Sequence, residues 1–217
     1  MLGRICWGSG RKVESGVEQI HGLSVLTVRL PQLAHRPERA VRKGAGLLRR
    51  NGVRRVLVPP DFPWWSELVR LGLRPVETRM LRCMLAPAWV TAQLKRQSIP
   101  PERAVLCLKG EKSDPTLEQL ARELCPLVRG LVFKIPGGNR TADRLRREMG
   151  IPVLPSDFGD VHLTLQLDEG PVLTGAEISL PGRELPPDCD RVSLIGALWE
   201  NGRIRTEEIA LKLALKL

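Results

Sequence analysis

Three short apolar runs alternate with two helical segments in the second half of this chain. The runs at 104–108, 131–135 and 152–154 are rich in Val, Leu and Ile, which is typical of buried strands. The segments between them show helical spacing of apolar residues, with Pro115 placed in a first helical turn and Gly150 at a helix end. A strand–helix–strand repeat of this kind indicates parallel strands joined by right-handed crossovers. We therefore predict an α/β fold with a Rossmann-like parallel sheet and flanking helices.

After this repeat, period-two patterns predict antiparallel strands near the C-terminus. Residues 161–167 alternate apolar and polar side chains, as in a strand with one face in solvent. A turn at 168–171 and the run 172–180 predict a hairpin with that strand. A helix is predicted at 191–200. Residues 209–217 alternate so strictly that we predict an edge strand with its odd-numbered residues buried.

The first half is less regular, but it also alternates strands and helices. Strands are predicted at 4–7, 23–30 and 53–58. The segment SIPPER at 98–103 breaks the pattern. We predict a basic N-terminal α/β region at 1–98 and, at 99–217, the Rossmann-like region with its C-terminal hairpin, helix and edge strand. The sequence leaves open that the two regions form one continuous domain.

The charge is strongly positive and unevenly distributed. The formal net charge is +10, and residues 1–60 alone carry 12 basic and 3 acidic residues, whereas 151–217 carry 6 and 11. A basic N-terminal region favours binding of polyanions, and the residues between Arg36 and Arg55 are the candidate surface for nucleic acid. Tyr is absent and Phe is scarce, so a base-stacking platform is not evident. We predict that any nucleic-acid binding is weak and non-specific.

Cysteine, histidine and hydropathy patterns argue against several classes of protein. The five cysteines are scattered without CxxC spacing and the three histidines are isolated, so we predict neither a metal site nor a disulfide framework. No apolar run is long enough to span a bilayer, and the N-terminus lacks a signal-peptide pattern. We expect a cytoplasmic protein without a membrane partner. The abundance of Arg, Leu, Ala, Gly and Pro indicates a GC-rich, bacterial coding sequence.

Loops at the carboxyl ends of parallel strands are the usual binding region of such folds. Here these loops are 59–65, 109–114, 136–141 and 155–160. In the third loop, Gly137 and Gly138 precede a predicted helix, where backbone N–H groups can approach an anion, and Asn139 and Arg140 follow them. Lys109 and Lys112 in the second loop add positive charge. The alternative is a glycine turn that merely begins a helix, with Arg140 in solvent.

The triplet Asn139-Arg140-Thr141 resembles the NRT of the cofactor domains of shikimate dehydrogenases and related NADP enzymes, where it also follows the second strand. The resemblance covers about ten residues and implies an NADP site. Those families carry a glycine-rich phosphate loop after the first strand. This chain has Lys109-Gly110-Glu111-Lys112 there, and one glycine cannot supply the tight turn and the close pyrophosphate approach that three provide. We therefore predict no cofactor and no tight binding of NAD(P).

The first loop contains the densest aromatic group in a chain that is poor in aromatics. It reads Pro-Pro-Asp-Phe-Pro-Trp-Trp, with Asp61, Trp64 and Trp65 as the candidate contact residues. Paired Trp residues after a strand can form the wall of a ligand site or a patch that contacts another protein. The alternative is a hydrophobic loop folded onto the core, since Trp is often half-buried.

No recognisable set of catalytic residues occurs in the sequence. It contains no GxSxG, P-loop or HExxH pattern, and no cysteine has an identifiable base beside it. We predict a non-catalytic binding, regulatory or assembly role, with another protein or an anionic small molecule as partner. The alternatives are an enzyme that binds a nucleotide or phosphorylated metabolite at the carboxyl-end loops, and a non-specific nucleic-acid binder.

Overall fold

A computed structural model describes residues 1–32, 36–168 and 176–213. Contacts divide the chain into two compact units. The first unit contains Met1–Glu77 and Leu180–Ile209, and the second contains Thr78–Ser179 and the segment that begins at Ala210. The boundary predicted near residue 98 rests on a different criterion, a break in the sequence pattern, and stays a prediction.

Within the described residues, helices and strands alternate along most of the chain. The α-helices are α1 (Pro37–Arg50), α2 (Trp65–Arg70), α3 (Arg79–Gln97), α4 (Pro115–Leu124), α5 (Gly138–Met149) and α6 (Arg191–Glu200). The strands are β1 (Leu2–Gly8), β2 (Glu14–Ile20), β3 (Leu23–Pro31), β4 (Arg55–Leu57), β5 (Arg74–Pro75), β6 (Val105–Lys109), β7 (Gly130–Lys134), β8 (Val153–Leu154), β9 (Leu163–Gln166), β10 (Ala176–Ser179) and β11 (Ala210–Leu213). No helix among them combines the length and apolarity needed to cross a membrane.

The first unit contains a five-stranded sheet in the order β2-β3-β1-β4-β5. β1 pairs in parallel with both β3 and β4, and β4 pairs in parallel with β5. β2 was not predicted, and it adds to the edge antiparallel to β3. The two strands are joined by His21 and Gly22, whose φ angles of 47° and 79° suit a two-residue turn of the type that needs positive φ at both positions.

The core of the first unit lies between this sheet and α1. Buried side chains of β3 face buried side chains of α1, including Val28 and Leu48. A Cβ atom at Gly44 would lie 2.9 Å from Cγ1 of Val28 and 3.0 Å from Cδ2 of Leu30. Glycine at this position therefore lets α1 approach β3 closely.

Alanine at Gly44 and at Gly46 is expected to have opposite effects on stability. Outside the backbone of its own helix, a Cβ atom at Gly46 would meet no atom of the described residues within 4 Å, so Gly46→Ala should raise the free energy of unfolding by about 0.5–1 kcal/mol through helix propensity. Gly44→Ala should lower it by about 1 kcal/mol, because the clash with β3 exceeds that gain. Urea denaturation of both variants checks this, and equal changes of the same sign would contradict the close packing of α1.

The second unit contains a four-stranded sheet in the order β8-β7-β6-β9. All of its strands are parallel, with Leu106 opposite both Leu131 and Leu163. The prediction that the runs at 104–108, 131–135 and 152–154 are parallel neighbours is confirmed. The fold is a mixed α/β architecture with a parallel sheet flanked by helices, as the sequence predicts.

The predicted hairpin between 161–167 and 172–180 is wrong for the described residues. β9 joins the parallel sheet beside β6, whereas β10 pairs antiparallel with β11. Residues 169–175 lie outside the described part of the chain. Leu163, Leu165 and Leu167 are buried as the alternation predicts, but a period of two reports which face is buried and not which strand is the partner.

The strand predicted in the C-terminal segment is present at β11, in a separate antiparallel pair. Ile209 is buried, Leu211 and Leu213 are half-buried, and Lys212 is exposed. The predicted burial of odd-numbered residues is therefore met in part over 209–213. Residues 214–217 lie outside the described part, so that portion of the prediction is not tested.

Candidate binding site

The predicted site residues fall into two groups, one in each unit. Because β6, β7 and β8 are parallel neighbours, the loops that follow them share one edge of the second sheet, and these loops carry Lys109, Lys112 and the segment Gly137–Arg140. Asp61, Trp64 and Trp65 follow β4 at the carboxyl edge of the first sheet. Each group is brought together within its own unit.

The crevice between β6 and β9 is the topological switch point of the second sheet. From β6 the chain proceeds to β7 and β8 on one side, and it then returns to β9 on the other side of β6. Ligands of open parallel sheets usually bind at this point. Here the backbone N–H of Glu111 donates to Oδ2 of Asp168 at 2.5 Å. A Cβ atom on Gly110 would lie 2.7 Å from the same oxygen, so glycine is required for this approach.

Arg79, the first residue of α3, closes the same crevice. It is only 5% exposed and forms an ion pair with Asp168, and its Nη2 donates to Oδ1 of Asp114 at 3.3 Å. Burial alone lowers the pKa of Arg79, but the hydrogen bond and charge of Asp168 outweigh it and raise that pKa. Asp168 therefore occupies the place where a Rossmann-like unit would receive the phosphate of a ligand. Neither Arg79 nor Asp168 was predicted as a site residue from the sequence.

The N-terminus of α5 lies at the same edge and is open. Gly137 adopts a φ of 73°, and a Cβ on Gly138 would lie 3.3 Å from Cβ of Phe133. No described side chain caps this end of the helix, and Asn139 and Arg140 are exposed. The hydroxyl groups of Thr141 and Ser113 form a hydrogen bond of 2.6 Å, which ties the first turn of α5 to the loop after β6. The first backbone N–H groups of α5 are thus held at the carboxyl edge with their dipole directed outward.

Two lysines end the neighbouring strands β6 and β7 side by side. Lys109 and Lys134 are direct partners in the register of the parallel pair, and both are exposed. Like charges in register destabilise a sheet, so this arrangement creates a positive potential that an anion would relieve. Lys112 is also exposed in the adjoining loop. Sequence reasoning missed Lys134, although the shared position of both lysines at a strand end could have revealed the pair.

A cleft of about 540 Å³ lies between α5 and the segment that follows β8. Its polar lining includes Asn139, Asp143, Arg146 and Asp157. Nε of Arg146 donates to the carbonyl of Val153 at 2.6 Å, and its Nη1 donates to Asp143 at 2.8 Å. The cleft therefore offers both donors and acceptors, which suits a polar ligand of metabolite size.

The aromatic loop of the first unit forms a cluster with β1. The ring centroids of Trp7 and Trp64 are 5.5 Å apart, those of Phe62 and Trp64 are 5.6 Å apart, and those of Phe62 and Trp65 are 6.1 Å apart, all in edge-to-face geometry. Phe62 is buried, whereas the three indoles are half-buried. Asp61 is exposed and adopts a φ of 55°. The loop therefore both packs on the core and leaves indole surface at the carboxyl edge.

A charge network centred on the buried Arg4 involves β1, β2 and β3 of the same sheet. Arg4 is 7% exposed and pairs with Asp188 and, at 3.0 Å, with Glu18. Glu18 also accepts from the Thr27 hydroxyl at 3.0 Å and pairs with Arg29. Glu18 thus neutralises two arginines and satisfies a buried hydroxyl. None of these residues was singled out from the sequence.

All five cysteines are unpaired thiols, and four of them are buried: Cys6, Cys83, Cys107 and Cys189. Burial raises the pKa of Cys6 and of Cys83 to about 11, and that of Cys189 to about 12. Burial also raises the pKa of Cys107. A thiol that stays protonated at neutral pH is a poor nucleophile, so these residues act as small apolar side chains.

We expect iodoacetamide to modify Cys125, the half-buried cysteine, well before the other four in the folded protein at about pH 8. Raised pKa values keep the buried thiols protonated there, and burial also blocks access. Mass spectrometry of the alkylated peptides measures the order of modification, and labelling in urea provides the control in which all five react. Rapid modification of Cys6 or Cys189 in the folded protein would contradict this account.

Comparisons with protein-family models and with curated proteins give no relative from which a function could be transferred. No protein-family model matches the chain, and no curated protein matches it significantly.

Proposed function

We propose that the protein binds a small anionic molecule at the carboxyl edge of its second sheet and performs no catalysis of its own. The observation that supports this most is the in-register pair Lys109 and Lys134. These two exposed lysines concentrate positive charge at adjacent strand ends, and a bound anion would interact favourably with both.

The helix α5 supplies a second source of attraction for an anion at this edge. Its N-terminus follows β7 after three residues and has no described side-chain cap. Backbone N–H groups at such a position bind phosphate or carboxylate oxygens, and the helix dipole adds to the effect. Arg140 in the first turn is exposed and can form a bidentate contact with either group.

The internal carboxylate of Asp168 argues against a dinucleotide as the ligand. A pyrophosphate bound in the usual crevice would have to displace Asp168 from Arg79 and from the N–H of Glu111. That exchange would leave a partly buried carboxylate without its partners, which is costly. We therefore propose a smaller phosphorylated metabolite, and we keep the expectation that NAD(P) does not bind tightly.

Calorimetric titration with pyrophosphate and with adenosine 5′-monophosphate tests the proposal. We expect binding that weakens at least fivefold in Lys134→Ala and in Lys109→Ala. The matched control is Lys43→Ala, which removes an exposed lysine of the first unit and should leave both affinities unchanged. Absence of binding, or equal affinities in all three variants, would contradict the proposal. Tight binding of NADP would contradict the role assigned to Asp168.

Nucleic acid is the second candidate partner, because α1 exposes a basic surface. Arg39, Arg42, Lys43, Arg49 and Arg50 are all exposed on this helix, although Arg42 is engaged by Glu67 at 2.7 and 3.0 Å. Exposed Arg and Lys side chains on such a surface would contact the phosphates of a nucleic acid, and contacts to phosphates do not distinguish one base sequence from another.

Retention on duplex DNA is therefore expected to be sequence-independent and to be lost by about 0.2 M salt. Electrophoretic mobility shifts over a salt series measure this, with Arg39→Glu/Arg50→Glu as the disrupting variant. Sequence-selective binding that persists above that salt concentration would show that the basic surface does more than contact phosphates.

A further inference from the structure

A cleft of about 320 Å³ lies at the carboxyl end of β4 in the first unit. It is lined by residues of β4, of the loop after it, of α2 and of the N-terminal end of α6. The backbone N–H of Asp190 donates to the carbonyl of Val58 at 2.8 Å, which fixes the start of α6 against the chain that leaves β4. The side chain of Asp190 accepts from the N–H of Ser193 at 2.8 Å and so caps this helix. The walls of the cleft are therefore held together by hydrogen bonds.

More apolar than polar surface faces this cleft, and two aromatic residues contribute to it. Phe62 is buried and Trp65 is half-buried, and their ring centroids are 6.1 Å apart in edge-to-face geometry. Val56 and Val58 add aliphatic lining. An indole attracts an ammonium group to its face and also packs against apolar carbon atoms. The lining therefore suits a ligand that combines an apolar body with a positive charge.

The charged groups that line this cleft are the carboxylates of Asp61 and Asp190, and none of its described lining residues is basic. Within the described part of the chain, neither carboxylate forms an ion pair, although the protein has 34 basic and 24 acidic residues. The positive end of the α6 dipole offsets part of the charge of Asp190, and Asp61 adds a second negative charge. The cleft thus carries uncompensated negative charge in a basic protein, and a bound cation would neutralise it.

We infer that this cleft binds a small organic monocation, an alkylammonium ion. The ammonium group pairs with the carboxylates of Asp61 and Asp190, and the alkyl chain packs on the indole of Trp65 and on the aliphatic lining. The volume lies at the lower end of the range for ligand sites, which favours a short alkyl chain. The site belongs to the first unit and goes beyond the proposed function, which concerns an anion bound to the second unit.

Titration with pentylammonium, 1-pentanol and ammonium chloride separates the contribution of the charge from that of the apolar chain. 1-Pentanol keeps the chain and lacks the charge, whereas ammonium keeps the charge and lacks the chain. We expect pentylammonium to bind at least tenfold more tightly than either. In a ¹H–¹⁵N correlation spectrum, the indole N–H of Trp65 should shift with pentylammonium. The indole N–H of Trp89, which is 2% exposed and belongs to the second unit, should not shift.

Two conservative variants assign the binding to this cleft. Asp61→Asn and Asp190→Asn each remove one negative charge and should weaken the binding of pentylammonium at least fivefold. Asn tolerates the positive φ of 55° at position 61 and caps a helix as well as Asp does, so both variants should fold. The matched control is Glu14→Gln, which removes an exposed carboxylate of the same unit outside the cleft and should leave the affinity unchanged.

Further variants separate this inference from the proposed function. Lys134→Ala should leave pentylammonium binding intact, and Asp61→Asn should leave pyrophosphate binding intact. Equal affinities for pentylammonium and 1-pentanol, or an affinity for pentylammonium that neither Asn variant lowers, would overturn the inference. The absence of saturable pentylammonium binding to the unaltered protein would overturn it as well.

Discussion

Asp168→Ala is expected to lower the free energy of unfolding of the second unit by about 3–5 kcal/mol. The side chain of Asp168 is 13% exposed and that of Arg79 is 5% exposed, so the pair is largely removed from water. Removing the carboxylate leaves the Arg79 guanidinium buried with two longer contacts, to Asp114 at 3.3 Å and to the carbonyl of Lys112 at 3.4 Å. It also leaves the N–H of Glu111 without its acceptor.

Urea denaturation followed by far-ultraviolet circular dichroism measures this loss. Asp168→Asn keeps an acceptor oxygen but not the charge, so we expect an intermediate effect. Asp157→Ala removes an exposed carboxylate of the same unit and serves as the control, with an expected change within about 0.5 kcal/mol. If Asp168→Ala lowers the free energy of unfolding by less than about 1 kcal/mol, the ion pair behaves as an exposed one. That result would contradict the description of the crevice between β6 and β9 as closed by Arg79 and Asp168.

Glu18→Ala is expected to lower the stability of the first unit by about 2–4 kcal/mol. Its carboxylate accepts from Arg4, which is 7% exposed, and from the hydroxyl of Thr27, which is 1% exposed. Both donors would be left buried without this acceptor, and Asp188 would be the one ion-pair partner of Arg4 left among the described residues. An unsatisfied buried donor costs more than the net gain of a hydrogen bond, because the group has already been desolvated.

The matched control is Glu14→Ala in the same strand, since Glu14 is exposed. Glu18→Gln should recover part of the loss because its amide oxygen can still accept from Thr27. Thermal denaturation compares the three variants. If Glu18→Ala and Glu14→Ala shift the melting temperature equally, the network carries no stability beyond that of a surface charge.

Local patterns were sufficient to predict the second sheet up to β8. Apolar runs of strand length separated by amphipathic helices admit few arrangements other than a parallel sheet with right-handed crossovers. Pro115 is the first residue of α4 and Gly150 caps the C-terminal end of α5, as their positions in the sequence predict. Each of these features is decided by residues within a few positions of one another.

The partners of β9 and β10 could not be predicted, because strand pairing is decided over long sequence separations. β2 was missed for a different reason, since all of its side chains except Glu18 and Ile20 are exposed and show no alternation. The ion pairs that organise both units are still less accessible to sequence reasoning. Arg79 and Asp168 are 89 residues apart, and Arg4 and Asp188 are 184 residues apart.

The candidate site was predicted as a set of loops but not as a geometry. The sequence indicates that Lys109, Lys112 and Gly137–Arg140 follow adjacent strands, and the structure places them at one edge. The sequence does not indicate that Asp168 lies in the crevice between β6 and β9, because this position depends on the pairing of β9 with β6. The aromatic loop was likewise predicted from its composition, but its contact with Trp7 was not, because that contact depends on the pairing of β1 with β4.

The most direct test of the binding account is a ¹H–¹⁵N correlation spectrum of the protein titrated with pyrophosphate. The account predicts saturable shifts of the backbone amides of Lys134, Asn139 and Arg140, which lie at the open edge. The amide of Glu111 should remain in place, because it is held by Asp168 at 2.5 Å. Shifts that are largest at Gly110 and Glu111 would show that the ligand displaces Asp168, and the account of a closed crevice with an open lysine edge would be wrong.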